Sequence, residues 1–249
     1  MLDLIRAEEF VSVAELGDRF GVSQVTARSD LHALAKRGLV RRIRGGAISR
    51  MAPGHERAFE ETELRDHAEK AAVGRAAAEM VTEGETVIVD VGTTTTEAAR
   101  SLATRASLTD VTVVTSALNI ALALEPTIPR LNVVVLGGTL RPLQHSLVDP
   151  LAALALAHVN AHTVLLGCNG VDPVAGVTNV NLPEADVKRR LLAASRRRIV
   201  LADGSKVGTV HMARVCDIED VDVVVTGASA DPEVVDALRE AGVDVVVAD

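Results

Sequence analysis

From residue 86 onward, short runs of β-branched and aliphatic residues return at intervals between longer Ala-rich or charged stretches, and this alternation does most to limit the fold. The runs fall at 86–90, 111–115, 131–136, 163–167, 198–203, 221–226 and 243–247. Each is apolar nearly throughout rather than at every second position, so a strand built from it is buried on both faces. Such strands pair in parallel, because the crossovers between parallel strands lay helices over both faces of the sheet. The expectation is an α/β domain with a mainly parallel, doubly wound sheet, whose ligands bind beyond the carboxyl ends of the strands.

The N-terminal part is of another kind. Residues 1–50 hold nine Lys or Arg against six Asp or Glu, a balance of +3; the rest holds seventeen against twenty-eight, a balance of -11 within a net charge of -8. This describes a basic module on an acidic body, and 249 residues accommodate a small domain beside a large one. The expected boundaries are 1–50 for the module, 51–67 for a polar linker containing Pro53 and Gly54, and 68–249 for the body. Phe10, Phe20 and Phe59 are the only Phe, Tyr or Trp rings. That argues against binding of single-stranded nucleic acid, where bases stack on aromatic platforms. Cys168 and Cys216 form neither a disulfide framework nor a zinc spacing, as in a reducing compartment. No apolar run reaches the roughly 18 residues that span a bilayer, and Asp3, Glu8 and Glu9 stand where a secretory signal would be basic and then apolar. A cytoplasmic address and no membrane partner are expected.

In the basic module, Ser12-Val13-Ala14-Glu15 is a capping box that starts a helix. Val13, Leu16 and Phe20 give it one apolar face, and Gly21 ends it by tolerating a left-handed cap. Ser23 caps a second helix, whose buried stripe is Ala27, Leu31, Leu34 and Ala35; Gln24, Arg28, Ser29 and His32 lie opposite, and Gly38 closes it. Two helices across a short turn containing Gly, the second presenting Gln and Arg, read as a helix-turn-helix. Arg can fork onto guanine O6 and N7, and Gln onto adenine N6 and N7, in the major groove. Ser29 and Thr26 can reach phosphates. Residues 39–47 read as a wing, a short basic hairpin with a Gly45-Gly46 turn that carries Arg41, Arg42 and Arg44. From Gln24 to Arg50 there are seven basic residues and one acid, Asp30, a phosphate footprint. Any one of these features also fits a plain helical subdomain with solvated arginines. Occurring in this order they point to duplex DNA, with Ser23, Gln24, Thr26, Arg28, Ser29, His32, Arg41, Arg42 and Arg44 as candidate contacts.

In the body, Asp90-Val91-Gly92-Thr93-Thr94-Thr95-Thr96 leaves a strand and enters a helix. Backbone N–H groups, threonine hydroxyls and a helix N-terminus converge there, where an anion fits. Asp203-Gly204-Ser205-Lys206 follows another strand and offers a cation and a hydroxyl to the same ligand. Each run alone also reads as an ordinary turn. No Walker pattern and no dinucleotide fingerprint occurs, which argues against a nucleoside triphosphate or NAD, and no cofactor is expected. His158 and His162 have an i, i+4 spacing that suits a metal, but no third ligand is near in sequence, so no metal site is expected. Glu184 and Asp186, two apart, do not share a helix face as a catalytic pair would. Arg196-Arg197-Arg198 reads as the cationic end of the helix that starts at Leu182.

These residues resemble the DeoR-type bacterial transcriptional regulators. The run Val11-Ser12-Val13-Ala14-Glu15-Leu16, Phe20-Gly21-Val22-Ser23, Thr26-Ala27-Arg28-Ser29-Asp30-Leu31, and Gly38-Leu39-Val40-Arg41 into Gly45-Gly46-Ala47 carries the likeness in the module. In the body it is carried by Glu69-Lys70, Asp90 to Thr95, Val113-Val114-Thr115-Ser116, Leu136-Gly137-Gly138, Gly167-Cys168-Asn169-Gly170-Val171, Gly176-Val177-Thr178, Glu184 with Lys188, and Asp203 to Lys206. Ala27, Ser29, Ser116, Asp149-Pro150 and Gly227 depart from the family's usual residues, and the chain begins about a turn into the family's first helix. The resemblance implies a winged helix-turn-helix followed by an effector domain similar in fold to ribose-5-phosphate isomerase. It further implies that Gly92, Thr93, Thr94, Thr95 and Lys206 hold the phosphate of a sugar phosphate, with Asp90, Glu184 and Asp203 near its hydroxyls.

The function expected is a DNA-binding transcriptional regulator, a repressor released from operator DNA by a phosphorylated sugar or related metabolite, and not an enzyme. One recognition helix covers too few base pairs for genomic specificity, so a homo-oligomer on repeated half-sites is expected. The alternative is a sugar-phosphate isomerase-like enzyme with an accessory DNA-binding module, in which Glu184 or Asp203 would serve as base.

Overall fold

The computed structural model describes residues 1–7, 10–37, 39–43, 45–49, 58–148 and 151–249. It divides into two compact units, Met1–Glu56 and Arg57–Asp249.

In the first unit the chain forms α1 (Leu2–Ala7), β1 (Phe10–Ser12), α2 (Val13–Phe20), α3 (Gln24–Lys36), β2 (Val40–Ile43) and β3 (Gly46–Ser49). Ser12 caps α2, its hydroxyl accepting from the Glu15 N–H at 3.1 Å, and Gly21 ends it in the left-handed region at φ 62°. Ser23 caps α3 in the same way through the Thr26 N–H, also at 3.1 Å. Such caps stabilise by about 1 kcal/mol each. The strands form an antiparallel sheet in the order β1-β3-β2, so the wing hairpin gains a third strand from the segment before α2. Its turn is at Gly45 (φ 88°), with Gly46 already in β3, rather than a two-glycine turn. Ile5, Val11, Val13, Leu16, Ala27, Leu31, Val40 and Ala47 make the core, with Leu34 and Ala35 half-buried against it. Phe20 departs from expectation: it ends α2, lies outside that core and is 45% exposed. Helix α3 ends at Lys36 with Arg37 as its cap, and Gly38 lies outside the described residues.

The second unit continues with α4 (Phe59–Glu63), α5 (His67–Glu79), β4 (Thr86–Val89), α6 (Thr93–Thr104), β5 (Val111–Thr115), α7 (Leu118–Leu124) and β6 (Leu131–Val135). After these come β7 (Thr139–Arg141), β8 (Ser146–Val148), α8 (Leu151–Leu156), β9 (Ala161–Gly167), β10 (Gly170–Asp172), β11 (Gly176–Asn179) and α9 (Leu182–Ala193). The chain closes with β12 (Ser195–Leu201), β13 (Ala213–Cys216), β14 (Val223–Gly227), α10 (Pro232–Glu240) and β15 (Asp244–Ala248). The stretch expected as linker thus contains α4, and its residues 51–57 lie outside the described residues.

Seven strands form one sheet in the order β15-β14-β12-β9-β4-β5-β6, and every pairing in it is parallel. Successive strand residues enter different cores. Ile88, Val164, Leu166, Val200 and Val224 pack with Leu191 of α9 and Leu238 of α10. Val87, Val89, Leu165, Ile199, Leu201 and Val225 pack with Val73 of α5 and Leu102 of α6. That two-sided burial, worth roughly 1.5 to 3 kcal/mol per large apolar side chain, is what the unalternating runs encode. Two short additions are antiparallel, the hairpin β7-β8 and the sheet β10-β11-β13. Among the described residues no helix is long and apolar enough to cross a membrane.

The Arg196-Arg197-Arg198 run corrects the sequence reading. Helix α9 stops at Ala193 and these arginines are part of β12, with Arg197 opposite Thr163 of β9. The Arg198 N–H donates to Asp222 Oδ2 at 2.7 Å, so the triplet begins a strand and caps no helix.

Candidate functional site

The first candidate surface is the outer face of α3. Gln24, Arg28, Ser29 and His32 are all exposed, as are Ser23 and Thr26 at its start. Their exposure follows from the burial of Ala27 and Leu31, which turn the opposite side of the helix into the core. The Ser23 and Thr26 hydroxyls lie 2.9 Å apart, so both also serve the cap. Exposed Arg42 reaches from β2 to α3, its Nη1 3.3 Å from His32 Nδ1, which joins the wing to the helix. Arg41 lies in β2 opposite Ile48. Arg44 lies outside the described residues. Spacing alone missed Val25, 74% exposed between Gln24 and Thr26, an apolar side chain set among polar ones on this surface. Its signal was a β-branched residue two places ahead of the buried Ala27, off the stripe.

The second candidate lies at the carboxyl ends of β4, β9 and β12. The chain order in the sheet reverses between β4 and β9, which makes this the topological switch point. Asp90, immediately after β4, is buried, and its Oδ2 accepts from the Gly167 N–H at 3.0 Å and is ion-paired with Lys188 Nζ of α9. Lys188, 2% exposed, also donates to Gly167 O at 3.0 Å and lies 3.8 Å from Glu184 Oε1. Glu184 in turn accepts from Arg141 Nη1 of β7 at 3.2 Å. Burial works against the Lys188 ammonium, but Asp90 and Glu184 outweigh it and hold its pKa above the usual lysine value.

Helix α6 opens on the threonine run. Gly92 is its N-cap at φ 149°, and the hydroxyls of Thr95 and Thr96 turn back to the Gly92 carbonyl at 3.0 and 2.7 Å. Asn119 of α7 donates from Nδ2 to Thr96 Oγ1 at 2.9 Å. Thr93, Thr94 and Thr95 are buried, and among the described residues neither the Thr94 hydroxyl nor Asn119 Oδ1 has a hydrogen-bond partner. Two strands away, Asp203 after β12 accepts from the Ser205 hydroxyl and pairs with Lys206 Nζ at 3.2 Å. Burial alone would raise the Asp203 carboxyl, but Lys206, the Ser205 hydroxyl and Lys70 prevail and hold it below the usual aspartate value. With β9 between them, the ends of β4 and β12 are about 10 Å apart, two strand spacings, the span of a small phosphorylated ligand. Cys168, at the end of β9 in the middle, is pushed up to about 11 by burial, although Lys206 and Lys188 draw it the other way. It is therefore a thiol and no nucleophile.

Asp90, Gly92, Thr93, Thr94 and Thr95 follow the end of β4 and Asp203 and Lys206 the end of β12, while Glu184 of α9 is joined to Asp90 through Lys188. Lys188, which ties Asp90 to Glu184, and Arg141, which binds Glu184, carry no signal of their distant partners in the sequence: Lys188 is 98 residues from Asp90, and Arg141 is 43 from Glu184. Glu69 and Lys70 are at the start of α5. The Gly227 departure has a steric cause. A Cβ there would lie 2.0 Å from Glu69 Cγ, and Glu69 uses that space to accept from Ser229 N and Oγ at 3.0 and 2.7 Å. Of the residues set aside from the site, His162 accepts from the Thr86 N–H at 2.9 Å, a structural role, and Asp186 pairs on the surface with Arg189 and Arg190.

Family comparison gives two matches. The DeoR-like helix-turn-helix domain matches residues 1–51, and the DeoR C terminal sensor domain matches residues 65–228. The HTH-type transcriptional regulator GlpR of Haloferax volcanii is 31% identical, over 99% of this chain and 94% of its own. The putative aga operon transcriptional repressor of Escherichia coli O157:H7 is 31% identical, over 99% and 91%. The glycerol-3-phosphate regulon repressor of Escherichia coli K12 is 29% identical, over 96% and 93%. Among solved structures, ribose 5-phosphate isomerase A from Methanocaldococcus jannaschii has a partial likeness, with a TM-score of 0.41 and 16% identity over 55% of this chain and 52% of that one.

Proposed function

We infer the function from one premise: this chain belongs to the DeoR family of helix-turn-helix transcriptional regulators. It is a DNA-binding regulator with a C-terminal sensor domain. We propose that it is a cytoplasmic repressor, that it acts as a homo-oligomer on repeated half-sites, and that a phosphorylated sugar or related metabolite releases it. Gln24, Arg28 and His32 meet base edges in the major groove, while Ser23, Thr26, Ser29, Arg41, Arg42 and Arg44 meet phosphates. In the sensor domain the ligand's phosphate lies between the N-terminus of α6, with Gly92, Thr93, Thr94 and Thr95, and the Lys206 ammonium. Glu184 and Asp203 face its hydroxyls, and Asp90 acts through Lys188. The names of the relatives support this reading, two of them being repressors and one of those of the glycerol-3-phosphate regulon.

The observation that carries it is the meeting of a helix N-terminus, a buried Thr94 hydroxyl without a hydrogen-bond partner and the Lys206 cation around one switch point. The same geometry weighs against the isomerase alternative. A general base works best near the operating pH, whereas Asp203 is held low by its cationic and hydroxyl neighbours, and Glu184 is tied to Arg141 and Lys188. The test is a dye-based thermal shift of the full chain against sugar phosphates and their unphosphorylated parents, since neither Trp nor Tyr is present. A true ligand at about 100 times its Kd adds roughly 2.7 kcal/mol, and Lys206→Gln removes most of that gain. Equal shifts from a phosphorylated compound and its parent would defeat the phosphate assignment.

A further inference from the structure

Helix α4 has five residues, far below the roughly 12 to 15 at which a helix stands alone in water. It persists through the side chains that hold it, and among the described residues Lys70, Arg100 and His145 do so. Lys70 of α5 is 2% exposed and donates from Nζ to the carbonyl oxygens of Thr62 at 2.6 Å and Arg65 at 2.5 Å, at the end of α4 and in the turn that follows it. Arg100 of α6 bridges Glu63 of α4, at 2.8 Å, and Glu97 of its own helix. His145 places Nε2 2.8 Å from Glu60 Oε1, and its ring meets the buried Phe59 ring edge-on at 5.4 Å between centroids.

Two of these ties come from parts of the chain that also carry a group of the strand-end pocket, and the third, Lys70, is buried within reach of the pocket's charges. Lys70 feels the charges of both Asp203 and Lys206. Helix α6, which carries Arg100, opens on the threonine run. His145 lies between β7 and β8, the hairpin whose Arg141 binds Glu184, and it is held in a left-handed conformation (φ 52°) that non-glycine residues rarely adopt. Moreover, α4 is the first described helix after the DNA-binding unit.

We propose that α4 passes the state of the pocket to the DNA-binding unit, with Lys70, Arg100 and His145 as the positioning residues. The proposal rests on the pocket being the effector site. An anion held between Lys206 and the start of α6 acts on all three ties together. Because α4 cannot stand without them, a small shift at the pocket becomes a change between a formed and an unformed helix, the kind of two-state element that coupling between sites needs.

Amide hydrogen exchange on the full chain tests this, with inorganic phosphate at saturating concentration as the probe. The Thr62 and Arg65 amides are hydrogen-bonded to Ala58 O and Thr62 O, so loosening of the segment is directly readable. The expected result is a change of about tenfold in exchange over residues 58–66, together with slowing over 92–96 and 203–207. In Arg100→Gln and Glu60→Gln the pocket peptides still slow, while the response over 58–66 falls by roughly threefold or more. Lys70→Met behaves alike if it folds, and the two surface variants decide the matter if it does not. A pocket that responds while 58–66 does not would overturn the relay and leave the effector site standing. If no peptide responds, phosphate does not bind and the pocket reading fails. The relay is then judged without ligand by Lys206→Gln, whose altered exchange over 58–66 supports it and whose unchanged exchange overturns it.

Discussion

The two units place their chemistry in opposite ways. In Met1–Glu56 most of the candidate DNA contacts stand on the exposed side of α3 or at its start, while its other side puts Ala27 and Leu31 into an eight-residue core. In Arg57–Asp249 the decisive groups are inside: Asp90 and Lys188 are each 2% exposed, and Thr94, Thr95 and Asp203 are buried at strand ends. The first unit has to meet a large, rigid, charged partner, so its cations remain solvated until they bind. The second has to enclose a small molecule, so its charges are removed from water and must be balanced against each other. A surface of the first kind can lose one residue and keep its fold. A site of the second kind cannot, because its members also hold up the protein.

That contrast is broken or sharpened most by Lys188→Met. It strands the Asp90 carboxylate in the interior and costs about 3 to 5 kcal/mol in urea unfolding, whereas Asp90→Leu combined with Lys188→Met recovers most of the loss. A single variant within about 1 kcal/mol of the parent would show that the pair is not the buried strut described. On the exposed side, Arg28→Ala costs about 1 to 3 kcal/mol of binding to the cognate site and much less on random duplex, with folding unchanged. Arg42→Ala weakens both kinds of DNA alike and lowers the salt slope by about one. Equal losses on cognate and random DNA for Arg28→Ala would remove it from base reading. Ser23→Ala, which deletes the cap of α3, lowers stability by about 1 kcal/mol, read from the urea midpoint.

The smallest effect is on acid stability. Asp203 ionises below its usual value of 3.8 in the folded chain, so its contribution is complete above that value and is lost as pH falls through the lowered one. Asp203→Asn therefore flattens the fall in stability below about pH 4. The same slope in parent and variant would show that Lys206 and Ser205 do not favour the charged form.

What the sequence discloses divides along the same line. All seven strands of the parallel sheet were legible from their apolar runs, which burial demands of the inner strands and which the half-exposed edge strands β6 and β15 share, and so were both helices of the helix-turn-helix, because caps and stripes are local. The three-residue strands β1, β7, β8 and β10 were not, since a strand that short shows no period. The Arg196-Arg197-Arg198 run was misread as a helix end because charge near a helix terminus looks alike whether the helix or the next strand owns it. Phe20 was misplaced because a helical wheel says which side a residue is on and nothing of how far the core extends. In the pocket, the threonine run and the Asp-Gly-Ser-Lys segment are contiguous and visible. The Asp90, Lys188, Glu184 and Arg141 chain is assembled from three separate places, the end of β4, helix α9 and β7; only the Glu184 and Lys188 spacing within α9 is local, and nothing in the sequence betrays its links to Asp90 and Arg141.

Phe59 has a practical consequence of its own. It is the only Phe, Tyr or Trp of the second unit, it is buried at the start of α4, and a histidine ring stands against it. In a chain that is otherwise dark above 280 nm, a Phe59→Trp substitution would create one emitter at one known address. The colour of its light would report the wetting or drying of α4 alone, so one optical trace could follow in time what the sensor tells its partner unit.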